Sequence, residues 1–159
     1  MSPENFNFAS LLDFEAAMAV GKAEVFCRRR KAPINTAILF YSLLYEDSSL
    51  ISFVFSRLLL NKGDIKELFR QGLENPSQIE DENLNGFFID SLKNADKRGY
   101  ELVSCGNLLT SLSKNDPLFR SILVEAELKT EDVENLTWWW ESNKRKIAER
   151  KKFWEYKNL

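Results

Sequence analysis

A single pattern of leucines and capping residues occurs twice in this chain. The segment that begins at Ile34, INTAILFYSLLYEDSSLI, aligns with the segment that begins at Val103, VSCGNLLTSLSKNDPLF. The matched pairs 69 residues apart are Ile34 with Val103, Leu39 with Leu108, Leu43 with Leu112, and Asp47 with Asp116. After one deletion, the pairs 68 residues apart are Leu60 with Leu128, Ile65 with Val133, and Leu68 with Leu136. A repeat of this length indicates one supersecondary unit that is used twice.

Apolar residues recur every three or four positions along most of the chain, which predicts helices. In the first unit we expect one long first helix with the apolar stripe Phe8, Leu12, Ala16, Ala19, Ala23 and Phe26. Asn35 is the predicted N-cap of a buried second helix, SSLISFVFSRLLL is a third, and Asp64 caps a fourth, IKELFRQGL. In the second unit, Asp116 and Pro117 supply the N-cap and first position of the third helix.

The predicted fold class is therefore all-α, with two pseudo-symmetric four-helix repeats and a long C-terminal helix. We expect a single domain over residues 1–159, with the first repeat at about 9–74 and the second at about 83–136. A loop rich in proline and acidic residues, NPSQIEDE, joins them at residues 75–82. A connector helix is expected at about 130–157.

The composition excludes several kinds of active site. The chain has no histidine, which removes Ser-His and Cys-His dyads and histidine metal ligands. Cys27 and Cys105 have no metal-ligand spacing, so we expect both to be buried free thiols. No G-x-x-x-x-G-K-[ST] loop is present to bind phosphates. We therefore expect no catalytic residue, cofactor or metal site, and no enzymatic activity, in this chain.

The chain also lacks the patterns of membrane or secreted proteins. No apolar run approaches the roughly 20 residues of a membrane-spanning helix, and MSPENFNF has neither a basic nor an apolar signal region. The net charge of −2 provides no overall attraction to nucleic acid. We expect a cytoplasmic protein whose partners include neither membranes nor nucleic acid.

The doubled pattern resembles the N-terminal domain of Clp-family AAA+ unfoldases, the double Clp-N module. The segment NADKRGYELVSCGNLLTSL, Asn94 to Leu112, fits the second unit of that family closely. The segment AILFYSLLYEDSSLISFVFSRLLLNKGDIKEL, Ala37 to Leu68, fits the first unit more loosely. The resemblance covers roughly residues 9–136, and it rests on the order of packing leucines in both units.

The resemblance implies a non-catalytic domain that docks substrates or adaptor proteins ahead of an ATP-dependent protein-unfolding chaperone. The implied partners are unfolded proteins or adaptors, an AAA+ ATPase ring in cis and, further, a Clp-type protease, in cytoplasmic protein quality control. We expect the chain to be a fragment of such an unfoldase. The alternatives are a freestanding regulator of a Clp complex and, in another class, a nucleic-acid-binding helical protein. The reading frame after Leu159 would distinguish the first two.

One family feature is missing. In several members, a glutamate one turn into the second helix of each unit helps bind polar ligands, including phosphorylated arginine. The corresponding positions here are Ala37 and Gly106, so a guanidinium ligand loses its charge-assisted partners. We expect phosphoarginine to bind weakly or not at all.

The first candidate contact site is a basic cluster at the end of the first helix, Arg28, Arg29, Arg30 and Lys31. Cations at this position stabilise the negative end of a helix, so the cluster has a structural explanation in a solvated helix end. A patch for an acidic partner protein and a nucleic-acid patch are the alternatives.

The second candidate site is the last helix, where Trp138, Trp139 and Trp154 are the candidate contact residues. Residues 138–159 carry seven Lys or Arg and three Glu, a net +4, so residues 1–137 carry −6. Trp138, Trp139 and Trp140 are spread over about 200° of a helix, which one narrow apolar face cannot accommodate. They either seal the second unit, with Trp139 or Trp140 in its core, or contact an ATPase ring or another subunit; base stacking is a third option.

Overall fold

The computed structural model describes residues 8–46, 48–74 and 83–158, and this part of the chain contains a 3-10 turn and eight α-helices. The 3-10 turn is Phe8–Leu11, and the helices are α1 (Phe14–Arg30), α2 (Thr36–Glu46), α3 (Ser48–Arg57), α4 (Lys62–Glu74), α5 (Leu84–Lys97), α6 (Cys105–Asn115), α7 (Pro117–Glu125) and α8 (Thr130–Lys157). The predicted all-α fold, with four helices in each repeat and a long last helix, is confirmed. The predicted loop at 75–82 lies outside the described residues.

The repeat is visible in the backbone where helices end. Lys31 and Gly99 are 68 positions apart in the sequence, and so are Leu59 and Glu127. All four residues have a positive φ of 52° to 74°. Each is followed by the same helix-ending hydrogen bond, from the next residue to the carbonyl five positions earlier. The N–H groups of Ala32, Leu60, Tyr100 and Leu128 donate to Cys27, Phe55, Ala95 and Leu123 at 2.8–3.0 Å.

The predicted caps of the second helices follow the same repeat. The Asn35 side chain accepts from the Ile38 N–H at 2.9 Å. Its counterpart in the second unit is Ser104, whose hydroxyl accepts from the Asn107 N–H at 3.2 Å. The predicted N-cap at Asp116, with Pro117 as the first residue of α7, is also present.

The predicted cap of the fourth helix is wrong by three positions. The side chain of Asn61, rather than that of Asp64, caps α4, because the Asp64 N–H itself donates to Asn61 Oδ1 at 2.9 Å. Asp64 lies in the first turn, where its negative charge is near the positive end of the helix.

The predicted first helix also starts too early. Asp13 caps α1 by accepting from the Ala16 N–H at 2.9 Å, so the helix begins at Phe14. Just before it, the Asp13 N–H donates to the Val103 carbonyl at 2.9 Å, and the Val103 N–H donates to the Leu11 carbonyl at 2.7 Å. Leu12 and Val103 thus form an isolated parallel bridge, and the chain is not helical at this point. Leu12 is nevertheless buried, as the apolar stripe predicted.

The two units share one hydrophobic core. The Phe40 ring of α2 lies 4.3 Å from Phe69 of α4 and 4.6 Å from Phe119 of α7, measured between ring centroids. A buried hydrogen bond of 2.8 Å from the Thr36 hydroxyl to the Asp116 carboxylate also joins α2 to the start of α7. The units are therefore packed face to face, with aromatic rings from both repeats in contact.

In the described ranges, no single helix is long and apolar enough to cross a membrane. The bent pair α2 and α3 reaches the required length and composition only when its two helices are taken together. Both helices supply the core, where Phe40, Leu44 and Phe55 are almost completely buried.

Replacing Leu59 by glycine should stabilise the protein. Leu59 has φ 58° and is 92% exposed, so its side chain contributes little packing while its backbone is in the left-handed region. A leucine in the left-handed region costs about 1–2 kcal/mol, which glycine avoids. Glycine also raises the conformational entropy of the unfolded chain, which offsets part of this gain. We expect Leu59→Gly to raise the free energy of unfolding by about 0.5–1 kcal/mol in urea denaturation. The control, Leu68→Gly inside α4, should lower it by about 1 kcal/mol or more. A loss of stability in Leu59→Gly would contradict the assignment.

Candidate functional site

The space beside Gly106 is filled by a carboxylate from another helix. Gly106 lies in the first turn of α6, and Glu141 comes from the middle of α8. A Cβ added at position 106 would lie 2.6 Å from Cδ of Glu141, which is closer than real Cβ atoms approach. The absence of a side chain at position 106 therefore admits the Glu141 carboxylate to the N-terminus of α6.

Four donors surround this carboxylate. Glu141 Oε1 accepts from the Ser104 hydroxyl at 2.9 Å, from Arg98 Nη1 at 3.2 Å and from the Tyr100 hydroxyl at 3.5 Å. The backbone N–H of Gly106 also donates to the carboxylate. The first N–H groups of a helix have no intrahelical partner and form its positive end, so an anion is stabilised there. Glu141 thus supplies a second cap for α6 in addition to Ser104.

Burial raises the pKa of the Glu141 carboxyl, whose side chain is only 14% exposed. The hydrogen bond from Ser104 and the positive charge of Arg98 act in the opposite direction, and the negative charge of Asp13 acts with burial. The loss of water therefore outweighs the local donors in its effect on this pKa.

Arg98 forms an ion pair with Glu141, and the Arg98 side chain is 0% exposed. Its Nη2 donates to the Glu134 carbonyl and to the Thr137 hydroxyl, each at 2.8 Å, while Nη1 contacts Glu141. Burial lowers the pKa of the guanidinium, and Nε has no hydrogen-bond partner among the described residues. Arg98 therefore joins the end of α5 to nearly two turns of α8.

The described part of the first repeat contains no equivalent of the ion pair between Arg98 and Glu141. Arg30 is the counterpart of Arg98, 68 positions earlier, and its Nη1 donates to the Leu73 carbonyl at 3.2 Å while its guanidinium lies 4.7 Å from the centre of the Phe26 ring. The residue that corresponds to Glu141 is Leu73, which is buried. Ala37, the counterpart of Gly106, packs beside the core. At the start of the second helix of each unit, the equivalent residues are thus the apolar Ala37 and Leu73 in the first unit, and Gly106 with the Glu141 carboxylate in the second.

This counterpart relation also concerns the predicted basic cluster. Arg28, Arg29, Arg30 and Lys31 are all exposed at the end of α1, as a solvated helix end or a contact patch requires. Arg30 also donates to the Leu73 carbonyl near the end of α4. The role of the cluster in binding stays a prediction.

The three consecutive tryptophans connect the two units. Trp139 and Trp140 of α8 both stack on Phe53 of α3, with ring centroids 5.1 Å and 5.0 Å apart. Trp138 lies on the other side, where the Arg98 guanidinium is 5.5 Å from its ring centre. Trp139 is 55% exposed and Trp138 38%, while Trp140 packs against the core. The interpretation that these indoles seal the second unit is therefore incomplete, because the ring partner of two of them belongs to the first.

The remaining candidate, Trp154, lies far along α8 and is exposed. Every residue from Lys144 to Asn158 is exposed, and in the described chain this part of α8 contacts other elements at its base, through Lys144 with Glu15 and Arg145 with Tyr100. The structure thus separates Trp154 from the other tryptophans, which all lie where α8 crosses the two units.

A second exposed apolar group lies where the two units meet. Phe14 is 79% exposed and follows Asp13, whose N–H donates to Val103 of the other unit. Met18, one turn later on α1, and Leu102, next to Val103, are also exposed. We call Phe14, Met18 and Leu102 the junction patch. Sequence periodicity did not single these residues out, because the bridge between Leu12 and Val103 joins segments that are distant in the chain.

The described residues bear on two further kinds of site, a metal site and a reactive thiol. No group of three His, Cys, Asp or Glu side chains is placed to hold a metal ion there. Cys27 and Cys105 are buried and form no disulfide, and burial raises the pKa of the Cys27 thiol, which disfavours the reactive thiolate.

Comparison with solved structures assigns the fold to the class of Clp-type N-terminal domains. The chain is similar to the crystal structure of the Hsp104 N-terminal domain from Candida albicans, with a TM-score of 0.65 and 12% sequence identity over 79% of this chain and 88% of that one. The predicted Clp-N fold is therefore confirmed at the level of fold. No protein-family model and no curated protein sequence matches the chain.

Removing one partner of the buried ion pair should cost far more than removing both. Arg98→Met and Glu141→Leu each leave a buried charge without its partner, so each should lower the free energy of unfolding by about 3–5 kcal/mol. The double variant replaces the pair with apolar side chains and should lose much less than the sum of the two. Urea denaturation of all four proteins measures this cycle.

The control for this cycle is the neighbouring exposed pair, Lys97 with Glu134 at 2.6 Å. Lys97→Met should cost less than about 1 kcal/mol, because water screens that pair. Additive losses at Arg98 and Glu141 would show that the two side chains do not interact in solution.

The tryptophans should contribute unequally to stability. Trp140→Ala removes a ring that packs on the core and on Phe53, so we expect a loss of about 2–4 kcal/mol in urea denaturation. Trp154→Ala should change stability by less than about 0.5 kcal/mol, because that ring is 62% exposed and the cation over it, Lys157 at 5.8 Å, belongs to the same helix. In the background Phe53→Ala, the cost of Trp140→Ala should fall, since part of its contact is already lost. Equal small losses for both tryptophans would contradict the packing of α8 on α3.

Proposed function

We propose that this chain is a non-catalytic docking domain that receives unfolded protein substrates, or the adaptor proteins that deliver them, for a Clp-type ATP-dependent unfoldase. The observation that supports this proposal is the fold it shares with the Hsp104 N-terminal domain. The partner ATPase ring, in cis, and a Clp-type protease follow from the same analogy.

The junction patch is the surface that we propose for docking. Its three apolar side chains are exposed, and Phe14 is the most exposed of them at 79%. The bridge between Leu12 and Val103 is close in sequence to all three residues, so they lie near the point where the two units are hydrogen-bonded to each other. Exposed apolar side chains of this kind suit the apolar segments that unfolded chains present.

Loss of the junction patch should weaken binding of unfolded protein without unfolding the domain. The measurement is fluorescence anisotropy of a labelled, reduced and alkylated protein titrated with the domain. We expect saturable binding to the parent chain, and Phe14→Ser with Leu102→Ser should weaken it by about tenfold, the loss of roughly 1.4 kcal/mol. The melting temperature should change little, because the side chains removed are exposed.

The control is Val124→Ser, which also replaces an exposed apolar side chain with serine, on α7. Its affinity should equal that of the parent. Equal weakening in the control and the patch variant would show binding without a defined surface. If unfolded protein does not bind at all, the substrate-docking part of the proposal is wrong, and an adaptor is the remaining partner.

A further inference from the structure

The last part of α8 forms a separate surface with its own pattern. We call residues 144–157 the free end of α8, since all of them are exposed. At 1.5 Å per residue this segment is about 20 Å long. It carries four exposed large apolar side chains, namely Ile147, Phe153, Trp154 and Tyr156. A short helix without tertiary contacts is only marginally stable in water, so such a segment gains from being covered.

The free end is also the most basic part of the chain. Residues 142–159 contain seven Lys or Arg and two Glu, a net +5, so the rest of the chain carries −7. Two cations at its base are engaged, because Lys144 lies 3.6 Å from Glu15 and Arg145 lies over the Tyr100 ring at 3.5 Å. Within the described chain, no ion pair includes Lys146, Arg150 or Lys157.

These cations form a row between two apolar rows. At about 100° per residue, Lys146, Arg150 and Lys157 lie within roughly 40° of one another around the helix. Ile147 and Trp154, seven residues apart, lie on one side of this row. Phe153 and Tyr156 lie on the other side. A shallow concavity of about 280 Å³ opens on this face between Arg150, Phe153 and Trp154, with Lys146 and Glu149 at its margin.

This arrangement disfavours a lipid bilayer. A helix that lies in a membrane interface needs an apolar centre on its buried face and its cations on the opposite side. Here the cations run along the middle of the apolar face. A bilayer that covered Trp154 and Phe153 would also have to bury Arg150, which lies between them around the helix.

The arrangement also disfavours nucleic acid and pairing with the same segment of a second copy. The rest of the chain carries −7 and would repel the phosphates of a nucleic acid that extends past the free end, and Ile147 offers no ring for base stacking. Two free ends placed side by side would bring together two segments of +5, which repel each other.

We propose that the free end of α8 docks a protein partner that presents a row of acidic side chains flanked by apolar ones. The acidic row pairs with Lys146, Arg150 and Lys157. The flanking apolar side chains pack on Ile147 with Trp154 on one side, and on Phe153 with Tyr156 on the other. This surface is distinct from the junction patch, and the inference does not depend on the proposed function.

The test uses synthetic peptides as probes. The first is a helical peptide of about 12 residues, long enough to span the cation row, with glutamates along one line and leucines on both sides. In the second, glutamine replaces glutamate, and in the third, serine replaces leucine. The change in tryptophan fluorescence of the full chain reports binding. We expect saturable binding of the first peptide, and affinities for the other two that are lower by about tenfold or more.

Matched double variants locate the surface. Lys146→Gln with Arg150→Gln removes two charges from the row, and Lys151→Gln with Lys152→Gln removes two charges from the other side of the same segment. The first should weaken binding of the acidic peptide by about tenfold and the second by less than about threefold. Equal effects would overturn the proposal, because they would show attraction by net charge alone.

The other occupants are decided by the same assay. The full chain is also titrated with single-stranded RNA and with vesicles that contain phosphatidylserine, and its self-association is measured by sedimentation. Tighter binding to RNA or vesicles than to the acidic peptide, or self-association lost in Lys146→Gln with Arg150→Gln, would replace the proposed partner. Absence of peptide binding would overturn it.

Discussion

The placement of α8 depends on one buried carboxylate at the N-terminus of α6. Glu141 reaches that point because position 106 has no side chain, and Arg98, Ser104 and Tyr100 then hold it. A buried pair of this kind costs desolvation, which explains why the pKa of Glu141 is raised and that of Arg98 is lowered. Its contribution is therefore one of specificity: only one rotation of α8 about its axis brings the carboxylate to its donors. The same rotation places Trp139 and Trp140 on Phe53.

The parts of the fold that local sequence determines could be predicted. Leucine spacing gave the helices, and the caps Asn35 and Asp116 gave two of their starts, because each cap bonds within three residues of itself. The start of α1 could not be predicted in this way. It depends on the bridge from Leu12 to Val103, which lie about 90 positions apart, and no local pattern reports a bond over that distance.

The polar site was missed for the same reason. In the sequence, Arg98 is one charged residue in the run DKRGYE, and Glu141 is one of many on a charged helix, so both look like solvated surface. The repeat did contain a signal. Arg30 and Arg98 occupy equivalent positions directly before a left-handed residue, which indicates a packing role for both. Gly106 was singled out for the side chain it lacks, but sequence alone could not show that Glu141 fills that space. The sequence likewise indicated that the three tryptophans are spread too widely for one helix face. It could not identify Phe53 as the ring on which two of them stack.

The two units share a backbone and differ in chemistry, which limits how each can bind. At the start of α2, Ala37 has neither a carboxylate of its own nor one from α4, because the equivalent residue is Leu73. At the start of α6, the carboxylate is present but already holds a guanidinium, that of Arg98. Among the described residues, the start of α2 therefore lacks the carboxylate that the expected guanidinium ligand would need, and the one at the start of α6 is paired with Arg98. The surfaces proposed above for partners are the apolar residues near the junction of the units and the mixed basic and aromatic free end of α8. The recognition proposed for them would combine apolar contact with charge, and neither surface needs a free carboxylate at the start of α2 or α6.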